Sequence, residues 1–226
     1  MNQEELNKIL KEHELWLIDE EGGKRADLSN TDLSYANLKS TDLTYANLSN
    51  TNLEYADLTY ADLTYVDLTY VNLTYADLTY ADLIHADLSN TNLEYANLSN
   101  ANLSSANLKD IKTNIHTVGY SLACPETGSF IGYKKAKGCL IELLILEDSK
   151  RSSATSAKCR CDKAKVLNIE NIGTGKKVNV VNSNHDSNFI YKVGEIVHVD
   201  NFDNNRWNEC STGIHFFINK ENAINY

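Results

Sequence analysis

The sequence predicts a mainly β protein in three parts: a short N-terminal helix, a repetitive segment from Ala26 to Asp110, and a small β-rich α+β domain over residues 111–226. Leucine recurs at every fifth position from Leu28 to Leu108, seventeen times without a gap. Eight of the ten glycines, the single proline and all five cysteines follow residue 111. This change in composition marks the expected boundary.

Residues 1–25 are predicted to form a capping helix. Leu6, Ile9, Leu10 and Leu17 have helical spacing, and Gly22-Gly23 ends the run. A repetitive fold exposes its core at both ends unless another element covers it. We therefore expect the helix to pack on the start of the repeats, with a partner-binding helix as the alternative.

Each repeat has the same chemistry at fixed positions. A small residue (Ala, Thr or Val) lies two positions before each Leu, and Asp or Asn lies one position before it. A period of five matches neither the 3.6 residues of a helical turn nor the two-residue alternation of a flat strand. The chain must therefore turn a corner once per repeat, with Leu pointing inward.

The pattern small-Asp/Asn-Leu-Ser/Thr-variable resembles the pentapeptide repeat family. The resemblance implies a right-handed quadrilateral β-helix with four pentapeptides per coil, so that seventeen repeats make about four coils. Residues twenty apart would then stack directly above one another. Outward-facing columns of side chains follow from that spacing.

These columns are the candidate interaction surface. One is aromatic throughout, a second combines tyrosine with histidine, and a third is acidic. Stacked side chains stabilise neighbouring strands, and exposed aromatic rows also serve as anchors at interfaces. The columns contain Tyr35, Tyr55, Tyr75 and Tyr95; Tyr45, Tyr65 and His85; and Asp42, Asp62 and Asp82.

The charge distribution limits the possible partners. The net charge is −10, and residues 26–110 alone carry ten Asp, two Glu and two Lys. Such a segment repels nucleic acid and attracts basic surfaces, so we expect protein partners and no direct nucleic acid binding by the solenoid. No apolar run has the length of a bilayer crossing, and the cysteine count is odd. We expect a cytoplasmic protein without a membrane partner.

The third part resembles an uncharacterised domain attached to pentapeptide repeats in phage and bacterial proteins. The phrases that carry this resemblance are Gly132-Tyr-Lys, Lys158-Cys-Arg-Cys-Asp162 and Glu209-Cys-Ser-Thr-Gly-Ile-His-Phe-Phe217. The resemblance brings no known activity with it.

One basic, hydroxyl-rich set in this domain is a candidate anion or ligand site, with a solvated hairpin loop as the alternative. Its members are Arg151, Ser152, Ser153, Lys158, Arg160 and His215. Cys159, Cys161, Cys210 and His215 could supply four zinc ligands, but the last spacing is loose for a zinc site. We therefore expect no metal, no cofactor and no catalytic residue.

The sequence favours a non-enzymatic interaction or scaffold protein. A first alternative follows from the resemblance: some pentapeptide repeat proteins mimic DNA with an acidic rod and bind type II topoisomerases such as gyrase. A second alternative places an enzymatic or ligand-binding activity in the C-terminal domain.

Overall fold

The computed structural model describes all residues, 1–226, and divides them into two compact units. The first unit is Met1–Ser121 and the second is Leu122–Tyr226. The protein is mainly β, with a helix at its N-terminus.

The N-terminal helix α1 spans Gln3–Leu17 and begins with a capping box, in which Asn2 and Glu5 satisfy each other's backbone N–H groups. Its buried face centres on Leu6 and His13. The His13 Nδ1 atom accepts the backbone N–H of Ala26, 3.1 Å away, at the start of the repeats. The sequence pattern missed His13 because a polar side chain does not register as part of an apolar stripe.

The edge of the first coil is also paired with α1. The Gln3 side-chain amide donates to the Asn37 carbonyl and accepts the Asn37 N–H, at 3.3 and 3.2 Å. This two-way pairing satisfies peptide groups that have no preceding coil beneath them.

Residues 26–110 form a β-helical solenoid in which each coil contains twenty residues. Parallel bridges join residues twenty apart, from Asp27 with Asn47 to Asp87 with Asn107. The Leu68 N–H donates to the Asp87 carbonyl at 2.8 Å, and the Asp87 N–H donates back to Val66 at 3.0 Å. Each of the first thirteen repeats is thus hydrogen-bonded to the repeat four places further along the chain.

The interior of the solenoid is built from leucine and small residues. The first sixteen repeat leucines, Leu28 to Leu103, have at most 2% of their surface exposed. The prediction that all seventeen are buried is wrong for Leu108, which is half-buried. Leu108 belongs to the last repeat, and its neighbour Asn107 bridges Asp87 of the preceding coil but no later residue.

The solenoid extends past the predicted boundary at Asp110. Asn92 bridges Lys112 with the usual offset, and Asn97 bridges Val118 after a one-residue insertion. The Thr117 hydroxyl donates to the Leu93 carbonyl at 2.9 Å. The backbone register therefore outlasts the sequence period, and the predicted start of the C-terminal domain at residue 111 is too early.

The corners of the coil depend on two features of each repeat. All seventeen fifth-position residues, Asn30 to Asp110, have positive φ angles between 54° and 64°, although none is glycine. The Asp or Asn before each Leu accepts a backbone N–H two residues later, as Asp57 does from Thr59 at 2.9 Å. This side-chain turn compensates for a left-handed backbone that tyrosine rarely adopts.

The second unit is a β-rich α+β fold. Its strands and helix are β1 (Phe130–Ala136), β2 (Cys139–Ile145), β3 (Arg151–Ser153), β4 (Lys158–Cys161), β5 (Lys163–Asn171), β6 (Val180–Asn182), β7 (Ile190–Lys192), β8 (Ile196–His198), β9 (Ile214–Phe217) and α2 (Lys220–Asn225). Seven strands form one sheet in the order β3-β4-β9-β1-β2-β5-β8, and β6 pairs with β7. The paired strands are antiparallel.

Candidate functional site

The first tyrosine column is a continuous stack on the surface of the solenoid. Successive ring centroids of Tyr35, Tyr55, Tyr75 and Tyr95 are 4.9, 4.8 and 4.6 Å apart. His116 extends the stack, 5.2 Å from Tyr95. Between 41% and 74% of each tyrosine remains exposed, so stacking leaves much of the aromatic surface accessible. We call these five rings the long ladder.

Two shorter aromatic columns lie on other sides of the coil. Tyr45, Tyr65 and His85 stack at 5.0 and 4.7 Å. Tyr60 and Tyr80 stack at 5.0 Å, and this pair was not among the predicted columns. The same twenty-residue offset would have found it. The pair has the same rings as the middle of the long ladder and is somewhat more exposed, at 57% and 51% against 43% for both Tyr55 and Tyr75.

The carboxylates of Asp42, Asp62 and Asp82 support the backbone of their own repeats. Their Oδ1 atoms accept the N–H of the residue two positions later, at 3.0, 2.9 and 3.1 Å. One oxygen of each carboxylate is thereby committed to a turn. The three carboxylates of the acidic column therefore stabilise turns, and each has one remaining oxygen that could bind a partner.

The column beside the long ladder is an amide ladder. Asn72 donates its side-chain N–H to the Asn52 carbonyl oxygen at 3.0 Å, and Asn52 donates to Asp32 at 3.1 Å. These side-chain bonds run from coil to coil. The surface beside the long ladder is consequently polar, and it carries negative charge at Asp32 in this column and at Glu54 and Glu94, which directly precede Tyr55 and Tyr95.

The two arginines of the predicted anion site are occupied by backbone carbonyls. Arg151 donates to five of them, at distances of 2.8 to 3.3 Å. Arg160 has 1% of its surface exposed and donates to Asp203, Asn205 and Thr212 at 2.9 to 3.1 Å. Both guanidinium groups direct their donors to the backbone and not to a ligand. Arg151 and Arg160 therefore have a structural role, and their prediction as anion-binding residues was wrong.

The two predicted serines are not ligand groups either. The Ser153 hydroxyl accepts the Ala123 N–H at 2.7 Å. The Ser152 hydroxyl is buried without a partner. Arg151, Ser152 and Ser153 form strand β3, which pairs with β4, so these three residues are not the solvated hairpin loop considered as the alternative.

Lys158 and His215, the remaining two predicted residues, line a cavity of about 480 Å³ in the second unit. The Lys158 ammonium is 3.3 Å from Glu209, 3.4 Å from the Tyr226 hydroxyl and 3.5 Å from the Cys210 sulfur. Burial alone would lower the pKa of Lys158, but these three groups raise it above its ordinary value. Lys158 is therefore a paired cation.

Lys134 lines the same cavity and was missed by the sequence analysis. Its ammonium lies 6.0 Å from the centre of the Tyr191 ring and takes part in none of the ion pairs of the structure. Burial, followed by repulsion from Lys158, lowers the pKa of Lys134 to about 8. No motif in the strand sequence distinguishes this lysine from its neighbour Lys135.

His215 contributes a neutral ring. Burial lowers its pKa to about 4, with further repulsion from Lys134 and Lys158. Its Nε2 atom is 3.0 Å from the Ser211 carbonyl, which only accepts hydrogen bonds. Nε2 therefore carries the proton, and Nδ1 is an acceptor.

The four residues considered for zinc are not assembled into a site. Cys159 and Cys161 are fully buried in the core of the sheet. A hydrogen bond with Cys124, together with burial, raises the pKa of the Cys159 thiol, and burial raises the pKa of the Cys161 thiol. A zinc ligand must be a thiolate, which this environment disfavours. No three His, Cys, Asp or Glu side chains are grouped so that they could hold a metal ion.

Two family models match the chain, one over the repeats and one over the C-terminal domain. A model of pentapeptide repeats matches residues 24–59, 46–83 and 72–110. Residues 24–110 belong to the pentapeptide repeat family. A second model, described as a family of unknown function (DUF5758), matches residues 120–223. The pentapeptide repeats and the C-terminal domain are thus both recognised, and the resemblances stated from the sequence are confirmed.

Solved structures similar to the pentapeptide repeats come from several organisms. HetL, involved in heterocyst differentiation regulation in the cyanobacterium Nostoc sp. strain PCC 7120, is 36% identical over 39% of this chain and 43% of its own, with a TM-score of 0.38. A protein of the Arabidopsis thaliana thylakoid lumen is 32% identical over 39% of this chain and 61% of its own, also at 0.38. QnrB1, a plasmid-mediated fluoroquinolone resistance protein, is 18% identical over 41% of this chain and 65% of its own, at 0.18. The chain thus spans less than two thirds of each.

No functionally curated protein matches the chain. Neither of its two helices combines the length and apolarity that a bilayer crossing requires.

Proposed function

We propose that the protein is a non-enzymatic interaction protein, and that the long ladder is the surface that recognises a partner protein. The observation that carries this proposal is the length of the stack, five rings in succession, with at least 41% of each tyrosine accessible. Aromatic side chains are the commonest anchors at interfaces because they bury a large area at a small cost in conformational entropy. In the finer form that we propose, the coil is the right-handed quadrilateral of the family.

Charge indicates what kind of partner the ladder accepts. The repeat segment carries twelve acidic and two basic residues. A partner with a basic patch around an apolar or aromatic centre would therefore be attracted to this surface, whereas nucleic acid would be repelled. The five cysteines are all free thiols, which supports a reducing, cytoplasmic location.

Affinity purification with two matched variants tests the ladder. Tyr55→Asn/Tyr75→Asn removes the centre of the long ladder, and Tyr60→Asn/Tyr80→Asn removes as many rings from the short pair. Asparagine already occupies this position at Asn50 with a φ of 57°, so both variants keep the backbone. We expect the first variant to lose a protein partner that the wild type and the second variant retain. Equal partner sets for all three proteins would contradict the proposal.

The topoisomerase alternative gives a separate prediction. The repeat aspartates are divided among all the columns, and asparagine replaces many of them, so a DNA-binding groove would meet only part of the charge. Asp42, Asp62 and Asp82 each also use one oxygen for a turn. We expect the purified protein to inhibit gyrase supercoiling weakly or not at all. Inhibition at micromolar concentration, relieved by salt and by changing these three residues to Asn, would favour DNA mimicry instead.

A further inference from the structure

The cavity of the second unit contains a cation without a counter-ion. Lys134 on β1 lines the cavity, and its only close aromatic neighbour is Tyr191. The other lysine, Lys158, is already paired with Glu209. Lys134 is half-buried, and its ammonium has no carboxylate within ion-pair distance, so an anion in the cavity would be stabilised beside it.

The remaining charged and titratable groups of the cavity do not supply that anion. Asp186 lines the cavity but is exposed, and it accepts the Asn188 N–H at 2.8 Å. His185, His215, Cys210, Tyr191 and Tyr226 also line the cavity, and none of them forms an ion pair with Lys134. Asp186 does not contribute to the pKa shift of Lys134, whereas Lys158 lowers this pKa.

The size and walls of the cavity indicate the rest of the ligand. Its volume of about 480 Å³ lies within the range of small-molecule sites. Phe189, Tyr191 and Tyr226 provide aromatic walls. The neutral His215 ring offers one acceptor nitrogen beside the two ammonium groups.

We propose that this cavity binds a small aromatic anion, with its carboxylate or phosphate on Lys134 and its ring against Phe189 and Tyr191. The site lies within the C-terminal domain and is independent of the long ladder. Neither matching family description assigns a ligand to it. Arg151, Arg160, Ser152 and Ser153, which the sequence placed in an anion site, have no part in it.

Calorimetric titration of the full-length protein with matched probes tests the site. Benzoate and phenyl phosphate carry the anion, whereas benzamide has the shape of benzoate without its charge. We expect the two anions to bind and benzamide not to bind. Comparison of the two anions shows which of the charged groups the cavity prefers. Equal binding of benzamide and benzoate would overturn the role of charge.

Substitution of the lysine locates the binding. Lys134→Gln is expected to weaken benzoate binding by about tenfold or more, while Lys150→Gln, an equal charge change on an exposed lysine, leaves it unchanged. Near-ultraviolet circular dichroism of each variant checks its fold. Equal benzoate affinity in the wild type and a folded Lys134→Gln variant would overturn the proposal.

A pH titration of the wild type does not depend on the folding of any variant. An anion binds the protonated amine, and the pKa of Lys134 is about 8 in the free protein. The affinity for benzoate should therefore be highest below pH 8 and fall by about fivefold to tenfold by pH 9. An affinity that does not change over this interval would contradict binding at Lys134.

Discussion

Leu68→Ala is expected to lower the free energy of unfolding of the solenoid by ~2–5 kcal/mol. Leu68 lies in a middle coil, has 0% of its surface exposed, and is stacked between Leu48 and Leu88. Both neighbouring coils are fixed by inter-coil hydrogen bonds, so the cavity left by the side chain cannot close easily. Urea unfolding, with hydrogen exchange of the repeat amides to localise the loss, measures the effect.

The control for this prediction is the same substitution at the last repeat. Leu108 is half-buried, so Leu108→Ala removes less buried surface and should cost clearly less than Leu68→Ala. If both variants unfold at the same urea concentration as the wild type, the leucine interior does not stabilise the solenoid in the way described.

Arg160→Leu is expected to destabilise the C-terminal domain by about 3–5 kcal/mol, since hydrogen bonds to a charged group contribute roughly 1.5–3 kcal/mol each. Its guanidinium binds the carbonyls of Asp203, Asn205 and Thr212 and lies 5.3 Å from the Phe202 ring. Without it, three acceptors lose their partner. Hydrogen exchange should show the amides of residues 202–212 losing protection.

Lys150→Gln is the matched control, because Lys150 is a basic residue of the same domain whose side chain is exposed to solvent. It should leave exchange in residues 202–212 unchanged. If Arg160→Leu also leaves this exchange unchanged, the arginine does not hold the loop.

The solenoid could be predicted from the sequence because its constraint is local and repeated. Every repeat needs an inward-facing leucine, a small residue two positions before it and a turn-forming Asp or Asn one position before it, and these recur every five residues. The predicted solenoid ended at Asp110 because Lys112 and Thr113 replace the turn-forming residue and the leucine, although Lys112 still bridges Asn92 with the usual offset. The buried position of His13 was not predicted either, because its hydrogen bond with Ala26 follows from no repeating pattern in the sequence.

The cavity in the C-terminal domain could be predicted only in part. Lys158 and His215 both belonged to the predicted set, and both line the cavity. Lys134 enters from a different strand, and its proximity depends on the sheet order, which no local pattern contains. The arginines were misassigned because a basic residue in a sequence gives no indication of which carbonyls its donors will reach.

Site-specific photocrosslinking tests the proposed role of the long ladder most directly. A benzophenone amino acid replaces Tyr75 in the long ladder or, as the matched control, Tyr80 in the short pair, where the exposed fractions are 43% and 51%. In the organism that produces the protein, we expect the probe at position 75 to form an adduct with one basic protein, and the probe at position 80 not to form it. Absence of an adduct at position 75, or the same adduct from both positions, would contradict recognition by the long ladder.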